Sequence, residues 1–339
     1  MTAVFDRLDD LPPGFFEITT NNIRDLFPRP TLIHLRGDVN EVVFVSILLH
    51  GNESTGLDVM QNILQKYAGQ LPRSILLFIG NVRAAEANRR FLPDQTDYNR
   101  CWPGTELETN AACEMMASVT AIAKSLPLFA ALDIHNNTGK NPHYACITDD
   151  NMQNRSLAAR FNRVAMVFNK KGVSTMAFDG VCPAMTIECG VPGDPDGIQH
   201  ACRIMHDLLT LEEIPNQDPA HSELHLVESH ATLNIPENVS FAFDARADAD
   251  LLFDSDFENR NFTLVDPDQI LAYTRIERPL TITDQEGHDI TDDVVRIDEG
   301  RIYLNQTMMP AMISQNKEVV RQDCLCYLMQ DYHGQEFEA

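Results

Sequence analysis

Basic side chains are scarce in this sequence. Lysine and arginine number 26 against 50 aspartates and glutamates, a formal charge of −24 over 339 residues. A surface of that sign repels nucleic acid and anionic membrane, so neither is an expected partner. It also disfavours an acidic substrate unless arginines gather at the site. Long apolar runs are missing too: none reaches the ~18 residues of a membrane-spanning helix. The opening residues, MTAVFDRLDDLPPGFFEITT, carry acids where a secretory leader would carry bases. A cytoplasmic location is therefore expected, with the eight cysteines as reduced thiols. They form no C-x-x-C pair, Cys324 and Cys326 coming nearest, which argues against a cysteine zinc site. The G-x-S-x-G elbow of serine hydrolases is absent as well.

What is present is an alternation of strands and helices. VVFVSILL at 42–49 is apolar and largely β-branched, the pattern of a strand buried on both faces. Ser54 or Thr55 can cap a helix running to about Ala68, with Leu57, Met60, Ile63, Leu64 and Tyr67 on one face and Gly69 to end it. SILLFIGN at 74–81 predicts a second buried strand. Thr105 and Glu108 have capping-box spacing for a helix that stops before Pro127. FAALDI at 129–134 predicts a third strand, followed by a helix near 152–170 ended by Lys170, Lys171 and Gly172. AMTIECG at 184–190 reads as a strand entering a turn, and a last helix covers about 196–213. This order predicts an α/β fold, a mostly parallel sheet flanked by helices. From about Pro215 the periodicity changes to short segments such as ATLNI, VSFAF, ILAYTRI and RIYLN, separated by prolines, asparagines and aspartates. An α/β domain over 1–215 and a smaller β-rich C-terminal domain over 216–339 are expected.

The loop after the first strand, HGNESTG at 50–56, has the glycine spacing of a phosphate cradle. Such a cradle needs Lys-Ser/Thr after its second glycine, but Leu57 and Asp58 stand there, and Glu53 inside the loop would repel phosphate. His50 and Glu53 instead have metal-ligand spacing. Open parallel sheets build their sites beyond the carboxyl ends of strands. His50 ends the first strand and His135 ends the third, in ALDIHNNTG. His50, Glu53 and His135 make a His₂Glu set with a fourth position for water, the donor set of a catalytic zinc. The plain alternative for His135 is a hydrogen-bonded histidine at a strand end. Glu188 ends the strand of TIECG, and a carboxylate emerging from an apolar strand beside a metal can serve as a base; a structural ion pair is its plain alternative. Arg83, Arg89, Arg90 and Arg100 cluster in a strongly acidic chain. Guanidinium groups suit carboxylates and developing oxyanions, although Glu86, Asp94 and Asp97 nearly balance their charge.

HGNE at 50–53, RRFLPDQTDYNRCWPG at 89–104, DIHNNT at 133–138 and TIECG at 186–190 resemble, in order, the motifs of the succinylglutamate desuccinylase/aspartoacylase family of the zinc carboxypeptidase-like superfamily. The resemblance implies one zinc per chain held by His50, Glu53 and His135, with Glu188 as general base. It implies that Arg90 polarises the scissile carbonyl and that Asn99 and Arg100 hold a substrate carboxylate. Tyr98 stands where leucine is common, and Cys101-Trp102 replaces an apolar residue and phenylalanine. Phe178 stands about ten residues before the base, where aspartoacylase has an arginine, so N-acetylaspartate is not the expected substrate. Tyr273, Tyr303, Tyr327 and Tyr332 are candidates for the family's late tyrosine.

The expected function is a metal-dependent amidohydrolase cleaving the carbon–nitrogen bond of a small N-acyl amino acid, a small-molecule substrate bearing a carboxylate. Two other readings share the metal: a zinc carboxypeptidase acting on short peptides, and a non-catalytic metal-binding or sensing protein. A homo-oligomer is compatible with each. HSELHLVESH at 221–230 lacks the glutamate of H-E-x-x-H, so His221, His225 and His230 are expected as exposed linker residues. FDARADADLLFDSDFE lacks the glycine of a calcium loop and reads as a solvated acidic face. Cys189 is expected to be a packing residue.

Overall fold

The apolar run that opens the strand–helix alternation is buried without interruption from Val42 to His50. In the computed structural model, which describes residues 5–168, 170–220 and 222–332, it lies at the centre of the first of two compact units. That unit comprises Met1–Asn136 and His143–His225. Its strands are β1 (Asp6–Leu8), β2 (Thr31–Leu35), β3 (Gly37–Ile47), β4 (Leu71–Ile79), β5 (Leu128–His135), β6 (Tyr144–Ile147), β7 (Val164–Val167) and β8 (Ala184–Glu188). They lie in the order β1-β2-β4-β3-β5-β8-β6-β7. The central run β4-β3-β5-β8 is parallel, and antiparallel pairs flank it at β2/β4 and β8/β6. This is the mostly parallel, helix-flanked α/β sheet that the sequence predicts.

Strand alternation sorts the side chains into two faces. Val42 and Phe44 pack with Met115, Met116 and Val119 of the helix Ala111–Lys124, beside Trp102 and Phe178. Ile47 points the other way and meets Gly56, where an added Cβ would lie 2.7 Å from Ile47 Cγ2. The helix Thr55–Tyr67 thus seats closely on that face, and the helix Pro195–Thr210 joins it through the Tyr67–His206 hydrogen bond.

Three local expectations need correction. The helix Ala111–Lys124 is capped by Asn110, whose side chain accepts from Ala112 and Cys113 N–H, not by Thr105 and Glu108. The Thr105 hydroxyl donates to Arg100 O instead and pins the preceding turn. The helix begun at Met152 ends at Phe161, not near 170. Asn162 turns extended and its side chain accepts from Arg163 N–H, and Val164–Val167 then form β7, paired in parallel with β6. Gly172, expected as a helix stop, has φ +78 and approaches Arg100, where a Cβ would fall 2.3 Å from its carbonyl oxygen. β2 and β6 have no counterpart in the sequence reading; both are short.

The second unit comprises Asn137–Pro142 and Leu226–Ala339. Its strands are β9 (His225–Asn234), β10 (Phe241–Ala242), β11 (Leu251–Leu252), β12 (Ile270–Thr274), β13 (Thr281–Thr283), β14 (Val295–Asp298), β15 (Arg301–Leu304), β16 (Met309–Ala311) and β17 (Cys326–Asp331). β9 pairs with β13 and β17, and β17 with β16. A separate sheet runs β10-β11-β12-β15-β14. Glu299 and Gly300, both with positive φ, make the two-residue turn between β14 and β15. The core of this unit includes Phe253, Phe257, Ile282, Leu304 and Leu328. His225 and His230, expected in a linker, are half-buried in β9; His221 lies outside the described residues.

Candidate metal centre

β3 ends at Ile47, and Leu48 then adopts φ 55, a left-handed turn that swings the chain over the carboxyl edge of the sheet. Gly51 lies against the backbone of Ala84: a Cβ there would sit 2.1 Å from Ala84 C. Its N–H donates to Arg90 O at 3.1 Å. The loop is therefore fixed from outside before the helix Thr55–Tyr67 begins. Ser54 makes no side-chain cap. The Thr55 N–H is accepted instead by Asn136 Oδ1, at 3.1 Å, from the end of β5.

His50, Glu53 and His135 are all buried, and one donor atom from each lies within 4.8 Å of the others. Glu53 Oε1 is 2.8 Å from His50 Nδ1, and Oε2 is 2.7 Å from His135 Nδ1. The imidazole centroids are 5.0 Å apart. The Asn136 N–H donates to Glu53 Oε2 at 3.2 Å, so backbone as well as side chains orient the carboxylate. Each histidine also has a second carboxylate at its outer nitrogen: Asp97 Oδ1 is 3.1 Å from His50 Nε2, and Asp133 Oδ2 is 2.7 Å from His135 Nε2. A carboxylate there favours the Nε2–H tautomer, whose inner Nδ1 offers a lone pair to a metal. Asp133 itself accepts from the Ser46 hydroxyl at 2.7 Å and from the Ser174 hydroxyl.

Period two explains part of this convergence. Asp133 and His135 share a face of β5, and β8 lies beside it in parallel register with Glu188 opposite His135. Burial pushes the Glu188 carboxyl up to about 7; Glu53 adds to the rise, while His135, His50 and Arg90 oppose it. Burial opposes the charged form of Glu53, but His50 and His135 outweigh it and hold Glu53 below the ordinary carboxylate range. Against burial, the Asp133 and Glu53 carboxylates hold His135 well above the ordinary histidine range. Asp97 is held well below its ordinary value despite burial, by His50, Arg90 and Arg100.

The arginine cluster divides. Arg83 pairs with Asp94 at 3.0 Å on an exposed surface. Arg90 reaches Asp97 Oδ2 at 3.1 Å, one carboxylate away from His50. Arg100 donates to Asn99 O at 2.8 Å. Asn99 is buried; its Nδ2 is 3.4 Å from His135 Nε2, and its Oδ1 accepts from Ser174 N–H at 3.2 Å. Phe178 is fully buried, 4.8 Å from the Phe44 ring, and belongs to the core. Cys189 is buried and burial pushes its thiol up, which makes it a poor nucleophile. Sequence spacing does not single out Asp97, Asp133 or Asn136 as site residues. For Asp133 the only cue is its place two residues before His135 on the same strand face; for Asp97 and Asn136 only the folded loops show it.

The donor chemistry fits a divalent cation of zinc type: two imidazole nitrogens and one carboxylate inside, carboxylates behind each imidazole. Fold and site together define an α/β domain with a candidate metal centre at the carboxyl edge of a parallel sheet. Residues 41–190 match the succinylglutamate desuccinylase/aspartoacylase catalytic domain, and over that span the chain is similar to this family. Solved structures agree at the level of the fold. A succinylglutamate desuccinylase from Chromobacterium violaceum is 16% identical with a TM-score of 0.57, covering 88% of each chain. A succinylglutamate desuccinylase/aspartoacylase from Rhodobacter sphaeroides is 12% identical with a TM-score of 0.59, also covering 88% of each chain. Murine aminoacylase 3 is 14% identical with a TM-score of 0.52, covering 86% of this chain and 96% of the other. No curated protein matches the sequence.

Proposed function

We propose that this protein is a zinc-dependent hydrolase that cleaves the amide bond of a small N-acyl amino acid. The observation that carries the reading is the convergence of His50, Glu53 and His135, with Glu188 in register beside His135. The names of the structural relatives, desuccinylases and an aminoacylase, support the substrate class. His50 Nδ1, His135 Nδ1 and Glu53 would hold the zinc, which when bound polarises a carbonyl and makes water more acidic.

The rest of the chemistry belongs to the chain. Glu188, buried and with its carboxyl raised to about 7, takes a proton from the attacking water and delivers it to the leaving nitrogen. The water oxygen bonds to the acyl carbon as the carbon–nitrogen bond breaks. Arg90, fixed on Asp97, stabilises the negative charge that builds on the carbonyl oxygen. Asn99 and Arg100 hold the substrate carboxylate, which a chain of charge −24 would otherwise repel.

The test is metal analysis of the purified protein with a panel of N-acetyl, N-succinyl and N-formyl amino acids beside di- and tripeptides. About one zinc per chain and chelator-sensitive hydrolysis of N-acyl amino acids are expected. Activity confined to peptides with free carboxyl termini would make the protein a carboxypeptidase. Failure to take up any metal would sink both readings.

A further inference from the structure

We infer that Asn136 is a positioning residue that ties the metal-binding loop to the turn after Glu188, so that ligands and base move as one body. The inference rests on the proposed zinc site for its consequence, but not for its geometry. Asn136 is 4% exposed and its side chain is fully engaged. Its Oδ1 accepts from Thr55 N–H at 3.1 Å. Its Nδ2 donates to Thr55 Oγ1 at 2.9 Å and to Gly190 O at 2.9 Å. Its own backbone N–H donates to Glu53 Oε2 at 3.2 Å. One residue therefore touches the segment of Glu53, the start of the helix behind it, and the turn two residues after Glu188.

Each contact answers a need that the local sequence leaves open. The first turn of the helix Thr55–Tyr67 has N–H groups without intrahelical acceptors, and Ser54 does not cap it. Gly190, with φ +69, turns the chain away from β8, and its carbonyl faces inward to Asn136. An amide side chain alone can accept from one segment and donate to the other in the same plane; a carboxylate lacks the donor and an aliphatic chain lacks both. Asn136 follows His135 directly, so the tie is anchored on the strand that carries one candidate ligand and lies in register with the base. Second-layer groups of this kind set metal affinity through the orientation of the ligands they hold.

Amide hydrogen exchange on the metal-free protein, read over residues 49–58 and 188–196, tests the tie without any reference to zinc. Asn136→Leu should speed exchange about tenfold in both segments together, by opening both to local fluctuation. Asn136→Asp keeps the acceptor for Thr55 N–H, and the Thr55 hydroxyl can turn to donate to it, but the donor to Gly190 O is lost, so 188–196 should loosen more than 49–58. Arg73→Met, which weakens a distant helix end, should leave both segments as they are. The inference is overturned if Asn136→Leu alters only one segment, or if it and Arg73→Met loosen both equally. Chelator competition adds the functional readout: Asn136→Leu should weaken zinc binding by about 10–100-fold. Unchanged zinc affinity would overturn the claim that the tie serves the metal set. A wild-type protein that binds no zinc would sink the deacylase reading and leave the exchange result to decide the tie. Should Asn136→Leu fail to fold, the segment-selective effect of Asn136→Asp decides it.

Discussion

Replacing Asp133 by asparagine tests whether the outer carboxylates set the metal affinity. Asp133 is 1% exposed and accepts three contacts, from Ser46, Ser174 and His135 Nε2. Asparagine has the same shape but one oxygen fewer. If its amide nitrogen faces His135, Nε2 must accept, and the ring proton moves to Nδ1. That nitrogen is the one turned towards Glu53, and once protonated it cannot ligate. If the amide flips to offer its oxygen to His135 and Ser174, its nitrogen faces the Ser46 hydroxyl, which must then turn to accept. Either way one favourable arrangement is lost without a cavity being made. Zinc affinity should fall about 10–100-fold, or about 1.4–2.8 kcal/mol. Chelator competition at neutral pH reads the change, and Ser46→Ala, which leaves the carboxylate in place, should lose less. An Asp133→Asn protein that binds zinc as tightly as wild type would refute the reasoning about tautomer control.

Glu188→Gln should retain zinc and lower kcat by about 10²–10⁴, measured on the best substrate of the acyl panel. The same change has a stability signature in the metal-free protein. With its folded value raised to about 7 from 4.5, Glu188 keeps a proton that the unfolded chain releases, so its contribution to stability falls as pH rises through that interval. Urea unfolding should therefore show the glutamine variant gaining on wild type at about pH 8 and losing that advantage near pH 5; an equal difference at both would contradict it. Gly51→Ala puts a methyl 2.1 Å from Ala84 C, so thermal unfolding should show a loss of about 1–3 kcal/mol and zinc binding should weaken with it. Arg73→Met removes donors to Leu208 O and Leu211 O, at 2.6 and 2.8 Å, and should cost about 2–3 kcal/mol in urea titration while zinc affinity is unchanged.

The features legible in the sequence were those governed by strong local periodicity. Val42–Leu49 reads as a doubly buried strand because nearly every residue is apolar, and the alternation of strands and helices follows from it. His50 and His135 were readable because strand ends in parallel sheets mark sites. The short strands were not legible: Thr31–Leu35 and Tyr144–Ile147 are too brief to carry a period of their own, and pairing in the sheet makes them strands. Apolar spacing through Val164–Val167 suits either helix or strand, so 152–170 reads as one helix where the chain forms a helix and then β7. Long-range hydrogen bonds were beyond the sequence altogether. Asn136 caps a helix 81 residues earlier, and Arg90 acts on Asp97, both of which depend on how loops meet. Tyr273, Tyr303, Tyr327 and Tyr332 all lie in segments of the second unit.

Four carboxylates gather at the centre, Glu53, Asp97, Asp133 and Glu188, against the guanidinium groups of Arg90 and Arg100. With all four ionised and both imidazoles neutral, as metal binding requires, they leave two negative charges that a divalent ion cancels. The consequence is a trade: before loading, protons on His135 and Glu188 stand in for that charge, so an arriving divalent ion must displace them, and metal uptake should release protons and tighten as pH rises.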